Sequence, residues 1–393
     1  MRSLGQTAVN MADTGDEAHH NSDKQDASKE EEEDYDKKEH EHFMRVVEAF
    51  KSYRSHCLRR IQSAEDHYLE LPDQHQNYLP RFRENLDVMR TCVAHNHEVI
   101  KLMLQEAEVL FENKNLTVVN GSEDPHLKPT LFDTDKVKTT IKQFYRDWSQ
   151  AGREERDACY LPVIAAVEKR FPPDTHDTKA VNILVPGAGL GRLAHEFARR
   201  GYNCQGNEWS LFMLLASNFV LNKCKNTNSL RLYPWVHQWS NNMRSAHQTS
   251  HITFPDIDPS DLPEGVNFSM AAGDFLEVYT MPGVWDCVAM VFFLDTAHSV
   301  VSYVEAVWKI LKPGGYWINL GPLLYHYSDV PGESSIEISY EDLRSVIKKV
   351  GFDIEEERDN VRCSYTQNPL SMLHYEYRCV FFVARKPLDA PVS

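Results

Sequence analysis

Three glycines at alternate positions, Gly187, Gly189 and Gly191, directly follow an apolar run in which Ile183–Val185 predicts a buried parallel strand. Glycine has no Cβ, so the chain can turn sharply there and its backbone can approach a ligand closely. A helix is predicted over 193–200. A strand, a glycine turn and a helix start together predict a cradle that can bind a nucleotide.

An acidic residue follows this turn at a distance that suits ribose binding. Glu208 comes directly after the second predicted strand, 202–206, and stands 17 residues after Gly191. This is near the distance at which a carboxylate meets ribose hydroxyls in nucleotide-binding folds. We therefore predict that Glu208 accepts hydrogen bonds from both hydroxyls; the alternative is an acidic residue that stands there by chance.

The glycine spacing separates two classes of nucleotide-binding protein. The dinucleotide fingerprint is G-x-G-x-x-G, whereas here the third glycine comes one residue early and Arg192 occupies the sixth place. A G-x-G-x-G turn after an apolar strand resembles motif I of the class I S-adenosylmethionine (SAM) methyltransferases. The alternative is an ordinary glycine turn between a strand and a helix.

A second segment fits the same resemblance. A predicted helix over 303–311 is followed by Lys312-Pro313-Gly314-Gly315 and the apolar strand 316–320. This order is typical of SAM methyltransferases, and dehydrogenase domains do not usually carry it.

The end of the third predicted strand, 268–272, resembles the place where these enzymes bind adenine. Asp274 would accept a hydrogen bond from the exocyclic amine there, and Phe275 would offer its ring or its backbone amide. An ordinary turn at a strand end is the alternative.

Gln143 and Arg146 lie three residues apart in a predicted helix over 137–150, with an N-cap at 133–135, so they share a helix face. If that face covers the cradle, Arg146 would bind the carboxylate of SAM and Gln143 would add a hydrogen bond. The alternative is a solvated polar face beside core aromatic residues.

Candidate residues for the second substrate follow later strands. Asp295 comes at the carboxyl end of the predicted strand 285–294, the edge that faces ligands in open α/β sheets, and its alternative role is a helix N-cap. Tyr375 and Tyr377 share one face of the predicted strand 375–384, which could form a pocket wall or part of the core.

The elements that position these residues predict an α/β fold with an N-terminal helical region. Strands 352–361 and 375–384 would close a seven-stranded, mostly parallel sheet with an antiparallel last strand. Two long helices are predicted from apolar residues at helical spacing, and the chain is expected to form a hairpin of them. These apolar residues are Phe43, Val46, Val47, Phe50 and Tyr53, then Leu86, Met89, Val93, Ile100, Leu104 and Phe111.

The predicted organisation has four parts. Residues 1–39 form an acidic tail that we expect to be disordered, and 40–170 form the helical region over the SAM site, with a loop at 113–128. The methyltransferase domain spans 171–386, with an insertion at 226–266 that serves as an ordered lid or an interface. Residues 387–393 form a second tail.

Composition restricts the partners. The net charge is −16, which argues against a nucleic-acid groove and against binding to an anionic membrane surface. The eight cysteines contain no C-x-x-C pair, the chain opens with no signal peptide, and no apolar run is long enough to cross a bilayer. We expect free thiols, no bound metal, and a cytoplasmic location, with the nucleus left open.

Four strings narrow the resemblance: Val185–Leu193, Gly206–Ser210, Phe292–Ala297 and Gly321–His326. Over residues 43–386 the chain resembles the carnosine N-methyltransferase family. That family transfers a methyl group from SAM to an imidazole nitrogen of carnosine (β-alanyl-histidine), giving anserine. The resemblance implies a small-molecule substrate, and the long helices offer a seam for a homodimer.

The resemblance also implies two sets of binding residues. The SAM set is Gln143, Arg146, Gly187, Gly189, Glu208, Asp274 and Phe275. The dipeptide set is Asp295, His326, Tyr365, Tyr375 and Tyr377. Of these, Asp295 and His326 would be catalytic: Asp295 would accept the imidazole N–H and fix the neutral tautomer, and His326 would hold the ring or the dipeptide ends.

Two rival functions stay open. One is methylation of histidine in peptides or proteins, which an open trough would favour over a pocket closed by 226–266. The other is a SAM-binding scaffold without turnover, against which the presence of Asp295 and His326 speaks.

Overall fold

The computed structural model describes residues 21–110 and 127–390, with side chains from 37 to 105 and from 127 to 390. The described strands are β1 (Asn182–Pro186), β2 (Asn203–Glu208), β3 (Leu230–Leu232), β4 (Ile252–Phe254), β5 (Phe268–Ala272), β6 (Trp285–Val291), β7 (Leu311–Gly321), β8 (Asp353–Cys363) and β9 (Tyr377–Arg385). The described helices are α1 (Asn21–Leu69), α2 (Asp73–Tyr78), α3 (Phe82–Leu110), α4 (Leu131–Trp148), α5 (Arg153–Arg170), α6 (Arg192–Arg199), α7 (Leu211–Lys223), α8 (Ser245–Gln248), α9 (Phe275–Val278), α10 (Val300–Ile310) and α11 (Tyr340–Val350).

Seven strands form one twisted sheet in the order β5-β2-β1-β6-β7-β9-β8, while β3 and β4 form a separate antiparallel pair. Neighbours in the large sheet run parallel from β5 to β7, and β9 is antiparallel to both β7 and β8. The predicted α/β fold with its mostly parallel seven-stranded sheet is confirmed. Strand order reverses at β1, so a crevice opens between the carboxyl ends of β1 and β6.

Both faces of the sheet are buried, as its parallel strands require. Along β1, Ile183 and Val185 pack in one core cluster with α5 and α6, and Leu184 packs in another with α10 and α11. Side chains that alternate between the two faces of β1 therefore pack against two layers of helices. The residues that follow β1 lie between these layers.

The N-terminal helices form the predicted hairpin and also pack on the core. Each residue of the two apolar stripes from Phe43 to Leu104 is buried or partly buried in the cluster that joins α1, α3, α4 and α7. Phe50 of α1 reaches Phe212 of α7, with ring centroids 5.6 Å apart. Phe111 and residues 113–126 lie outside the described residues. No helix in the described part of the chain is long and apolar enough to cross a membrane.

Two predictions about this region need correction. Helix α1 begins at Asn21, so residues 21–39 are helical where disorder was expected; the segment has neither glycine nor proline and is rich in Glu and Lys, which favour helix. Residues 1–20 lie outside the described residues. Helix α4 begins at Leu131, earlier than predicted, because Thr130 and Asp133 form a reciprocal capping box that satisfies the first amides.

The insertion 226–266 is ordered and joins the helical region to the sheet domain. The Asn96 side chain of α3 exchanges two hydrogen bonds with the backbone of Tyr233, at 2.8 and 3.0 Å. The Tyr53 hydroxyl of α1 lies 3.0 Å from Nε2 of His237. The insertion therefore fixes where the N-terminal helices sit.

A buried carboxylate in the insertion completes this junction. Asp256 accepts from Arg156 of α5 at 2.7 Å and from Arg192 of α6 at 2.5 Å, and each of the three side chains is at most 5% exposed. The backbone N–H of Asp256 donates to the carbonyl of Trp148, the last residue of α4. One residue thus ties α4, α5 and α6 together, through its backbone amide to α4 and its carboxylate to α5 and α6.

We predict that Asp256→Asn destabilises the protein by about 3–5 kcal/mol, because it leaves the buried guanidinium of Arg156 without an ion-pair partner and that of Arg192 with Glu196 alone. Denaturant unfolding followed by fluorescence measures the change. Asp261→Asn, on an exposed residue of the same insertion, is the control and should stay within about 0.5 kcal/mol. Equal stability of the two variants would contradict this role for Asp256.

Candidate active site

The turn after β1 adopts a conformation that needs its glycines. Gly187, Gly189 and Gly191 have φ of +65°, +56° and +79°, a region that side chains disfavour. A Cβ on Gly187 would lie 2.4 Å from the ring of Phe293. The bare backbone of this turn therefore lines the crevice beside β6.

Glu208 holds the turn from the end of β2. Its carboxylate accepts from the amides of Gly189 at 2.8 Å and of Trp209 and Ser210 at 2.9 Å. Burial raises the pKa of Glu208, and these amides partly offset the rise. Oε1 accepts two of these bonds and Oε2 accepts only that from Gly189, so Oε2 keeps a lone pair with which Glu208 can accept from a hydroxyl donor.

Helix α4 lies over the turn, so the polar face of this helix is not solvated. Gln143 and Arg146 are 2% and 3% exposed. Arg146 donates from Nη1 to the Tyr160 hydroxyl at 2.9 Å and to Asp147 at 3.2 Å, and its guanidinium lies 4.6 Å from the ring centre of Tyr365. The cavity below is lined by Gln143, Arg146, Tyr160, Val185, Pro186, Gly187, Ala188, Gly189, Leu193, Val291, Phe292 and Tyr365.

Several buried polar atoms of this cavity lack hydrogen-bond partners among the described residues. They are Nε and Nη2 of Arg146 and Oε1 of Gln143. The nearest acidic group to Nε, the Glu155 carboxylate, stays 3.6 Å away. Unpaired buried polar groups are costly and rare. A bound carboxylate would satisfy the arginine and a bound ammonium would satisfy the glutamine oxygen, so the cavity fits the amino-acid end of SAM.

Asp274 and Phe275 lie at the end of β5. Asp274 caps α9 by accepting from the amide of Leu276 at 2.7 Å through one oxygen, which leaves the other oxygen for a ligand. Phe275 is 2% exposed and packs edge-on against Phe293 and Tyr303. Of the two groups predicted for Phe275, the backbone amide is therefore the one it can offer to adenine.

Asp295 is buried at the carboxyl edge beyond β6, with 3% exposure. Its carboxylate accepts from the amide of Leu324 at 2.9 Å, and its backbone carbonyl accepts from the amide of His326 at 3.0 Å. It does not cap a helix, since α10 begins at Val300. Burial raises the pKa of Asp295 to about 6, against which the amide of Leu324 acts.

His326 lies beside Asp295 on the segment after β7, and its side chain is exposed on one side. Partial burial lowers the pKa of His326, and the charge of Lys136 lowers it further. The imidazole of His326 is therefore neutral at pH 7 and can act as donor or acceptor.

The three candidate tyrosines differ in position. Tyr365 and Tyr377 both pack against the Phe292 ring, with centroids 5.0 and 5.5 Å from it. Burial raises the pKa of Tyr377, and the nearby charge of Asp295 adds to the rise. Tyr365, Phe292 and Tyr377 thus form one aromatic wall, and Asp295, three residues after Phe292, is near enough for its charge to act on Tyr377.

Tyr375 departs from the prediction. Strand β9 begins at Tyr377, so the two tyrosines do not share a strand face. The backbone of Tyr375 is instead bonded to the Gln367 side chain through both its amide and its carbonyl, and Tyr375 is 62% exposed. It stands at the rim of this wall.

Sequence reasoning missed Phe292. Its φ is +53°, a strained value for a bulky residue of the kind that occurs at functional sites. It lines the cavity and ends β6 earlier than predicted. The glycine at position 321 is related to this conformation, because a Cβ there would stand 3.2 Å from the backbone nitrogen of Phe292.

The loop that carries Tyr365 is held from two sides. The Glu155 carboxylate of α5 accepts from the amides of Thr366 and Gln367 at 2.6 and 3.2 Å. From the insertion, Gln238 donates to the Ser371 hydroxyl at 2.9 Å. The insertion therefore supports one wall of the site rather than forming a separate lid.

None of the eight cysteines forms a disulfide, and all eight are buried. Within the described residues, no group of three or more His, Cys, Asp or Glu side chains could hold a metal ion.

A glycine turn after β1, a carboxylate at the end of β2 and a seven-stranded sheet with only β9 reversed define a class I SAM-dependent methyltransferase. The chain belongs to the carnosine N-methyltransferase family, whose model matches residues 124–388.

Relatives from distant organisms match most of the chain. The carnosine N-methyltransferase of Mus musculus is 52% identical over 90% of this chain and 88% of its own length. The Drosophila melanogaster relative, "Carnosine N-methyltransferase unmet", is 42% identical over 90% of this chain and 81% of its own. The enzyme of Schizosaccharomyces pombe is 35% identical over 90% and 97%.

We predict that Arg146→Met weakens binding of SAM about tenfold to hundredfold, because it removes a charge-assisted contact to the carboxylate. Calorimetry measures the dissociation constant. Methylthioadenosine, which lacks the amino-acid end, should bind the variant about as well as the wild type. Arg153→Met, on an exposed arginine of α5, is the control. Equal losses for both ligands would contradict the assignment.

Proposed function

We propose that the protein transfers the methyl group of SAM to an imidazole nitrogen of carnosine. One observation carries the proposal: a buried carboxylate, Asp295, stands at the carboxyl edge of the sheet, three residues after Phe292, which lines the SAM cavity. The relatives named above are carnosine N-methyltransferases, and this pocket has the acceptor that a neutral imidazole requires.

The residues of the SAM side act by binding and orientation. SAM supplies a methyl group already activated on a sulfonium. In the proposal Arg146 and Gln143 bind its carboxylate and ammonium, Glu208 binds the ribose hydroxyls, and Asp274 with the amide of Phe275 binds adenine. The backbone of Gly187 and Gly189 lies along the ligand, since a side chain there would fill the cradle.

Asp295 controls the acceptor ring. A neutral imidazole has one nitrogen with a free lone pair and one N–H, and an imidazolium has no free lone pair. When the Asp295 carboxylate accepts the N–H, the opposite nitrogen is fixed as the nucleophile and can be aligned with the methyl group. The same carboxylate stabilises the positive charge that develops on the ring. No other group needs to remove a proton before transfer.

The remaining residues shape the site around the dipeptide. Tyr365 and Tyr377 supply ring faces and hydroxyls, Tyr375 stands at the rim, and His326 offers a neutral imidazole for hydrogen bonding. The wall supported by Gln238 and Asn241 of the insertion favours a small substrate over a protein chain.

The proposal extends to the setting of the enzyme. Eight free thiols and a net charge of −16 support a reducing cytoplasmic compartment and no nucleic-acid partner. No metal is proposed to take part. A homodimer through the long helices stays a prediction.

Incubation of the purified protein with SAM and carnosine tests the proposal, with the product identified by mass spectrometry and NMR. Methylation of the imidazole ring is the expected result. A histidine-containing protein or longer peptide serves as the competing substrate. Binding of SAM without turnover of any of these would refute the proposal in favour of a SAM-binding scaffold.

We predict that Asp295→Asn lowers kcat about 100-fold or more, because the amide can accept the imidazole N–H but cannot offset the developing positive charge. Affinity for SAM should change less than twofold, since Asp295 is assigned no contact with it. Steady-state kinetics and calorimetry check the two effects. Unchanged turnover would remove Asp295 from the mechanism.

The pH dependence follows from the raised pKa of Asp295, about 6. Ionised Asp295 and neutral substrate imidazole are both required, so activity is lost as the pH falls through about 6 to 6.5. Below that range, the logarithm of kcat/KM against pH should approach a slope of 2 for the wild type. Asp295→Asn should show a slope of 1, from the substrate alone; a shared slope would contradict the role of its ionisation.

A further inference from the structure

Lys136 occupies the mouth of the site without an assigned role. It lies seven residues before Gln143 on α4, so the two share a helix face, with Lys136 about 10 Å further along the axis. Because Gln143 lines the SAM cavity, this face continues from the cavity to its rim.

The Lys136 ammonium has no ion pair or hydrogen bond with a described residue. The ammonium lies over the Phe132 ring, 4.9 Å from the ring centre. Of the neighbouring charges on α4, Asp135 is already paired with Lys138 at 2.9 Å. Lys136 is also partly buried, so its positive charge stands at the rim without a direct ion-pair partner among the described residues.

The charge of Lys136 reaches both halves of the site. It acts on the Glu208 carboxylate, where it opposes the rise in pKa that burial causes, and on the His326 imidazole, whose pKa it lowers. Glu208 lies on the ribose side and His326 on the acceptor side. On the face of α4 that continues from Gln143 to the rim, Lys136 is therefore close enough to both sides of the site for its charge to act on each.

A histidine dipeptide carries a carboxylate, and the acceptor side as described so far offers no positively charged partner for it. That side offers the Asp295 carboxylate, the neutral His326 and tyrosine hydroxyls, while Arg146 lies within the SAM cavity. An anion that leaves water needs a cationic or hydrogen-bonding partner. The cation at the rim supplies one.

We propose that Lys136 binds the α-carboxylate of the histidine dipeptide and so determines which imidazole compounds the enzyme accepts. This inference rests on the proposed function. In this role Lys136 recognises substrate at the end away from the reacting nitrogen. Imidazole compounds that lack the carboxylate would then be poor substrates of the wild type.

The test compares two substrates that differ by one group. β-Alanyl-histamine is carnosine without its carboxylate. Lys136→Met, which keeps the side-chain length, should raise KM for carnosine about tenfold to hundredfold and change KM for β-alanyl-histamine less than twofold. Lys136→Arg keeps the charge and should retain most of the affinity. Lys138→Met, on the paired lysine two residues further along α4, is the control and should leave both KM values unchanged.

Two results would overturn this inference while carnosine turnover by the wild type stands. One is an equal loss for both substrates in Lys136→Met. The other is a matching loss of SAM affinity by calorimetry, which would place Lys136 on the ribose side. Absence of carnosine methylation by the wild type, with SAM still bound, would instead refute the proposed function and this inference with it.

Discussion

The position of one helix, α4, is the constraint on which the rest of the site depends. It carries Gln143 and Arg146 over the glycine turn, and it is fixed there by contacts at its end. The indole of Trp148 donates to the carbonyl of Leu190 at 3.0 Å, and Arg192 donates to the carbonyl of Asp147 at 2.9 Å. The deeply buried guanidinium of Arg146 needs anions and rings around it. Its N–H groups that lack partners indicate that a ligand binds there.

The sheet supplies the second half of the arrangement. Parallel strands bring the ends of β1, β2, β5 and β6 to one edge, so residues far apart in sequence meet there. Phe292, with its strained backbone, packs its ring against both Tyr365 and Tyr377. Asp295 follows directly and is buried because the segment after β7 covers it. The side of the site that binds SAM and the side that binds the methyl acceptor are therefore adjacent at the carboxyl end of β6.

The parts of the fold and site that depend on neighbouring residues could be predicted from the sequence. The parts that depend on contacts between residues far apart in the chain could not. Ile183–Val185 and the glycines after it predicted both the central strand and the turn. The apolar pattern and the need for glycine in the turn are both properties of adjacent residues. The cap of α4 was misplaced because Thr130 and Asp133 act as a pair. Tyr375 left the strand because Gln367, eight residues earlier, binds its backbone. Asp256 joins two arginines 64 and 100 residues away, which no local pattern can indicate.

The central claim is that a buried carboxylate selects a neutral imidazole and aims its free nitrogen at the methyl group. A crystal structure of the protein with S-adenosylhomocysteine and carnosine tests it most directly. The account predicts one ring nitrogen within about 2.6–3.2 Å of the Asp295 carboxylate and the other facing the sulfur. A ring bound with neither nitrogen near Asp295 would contradict it.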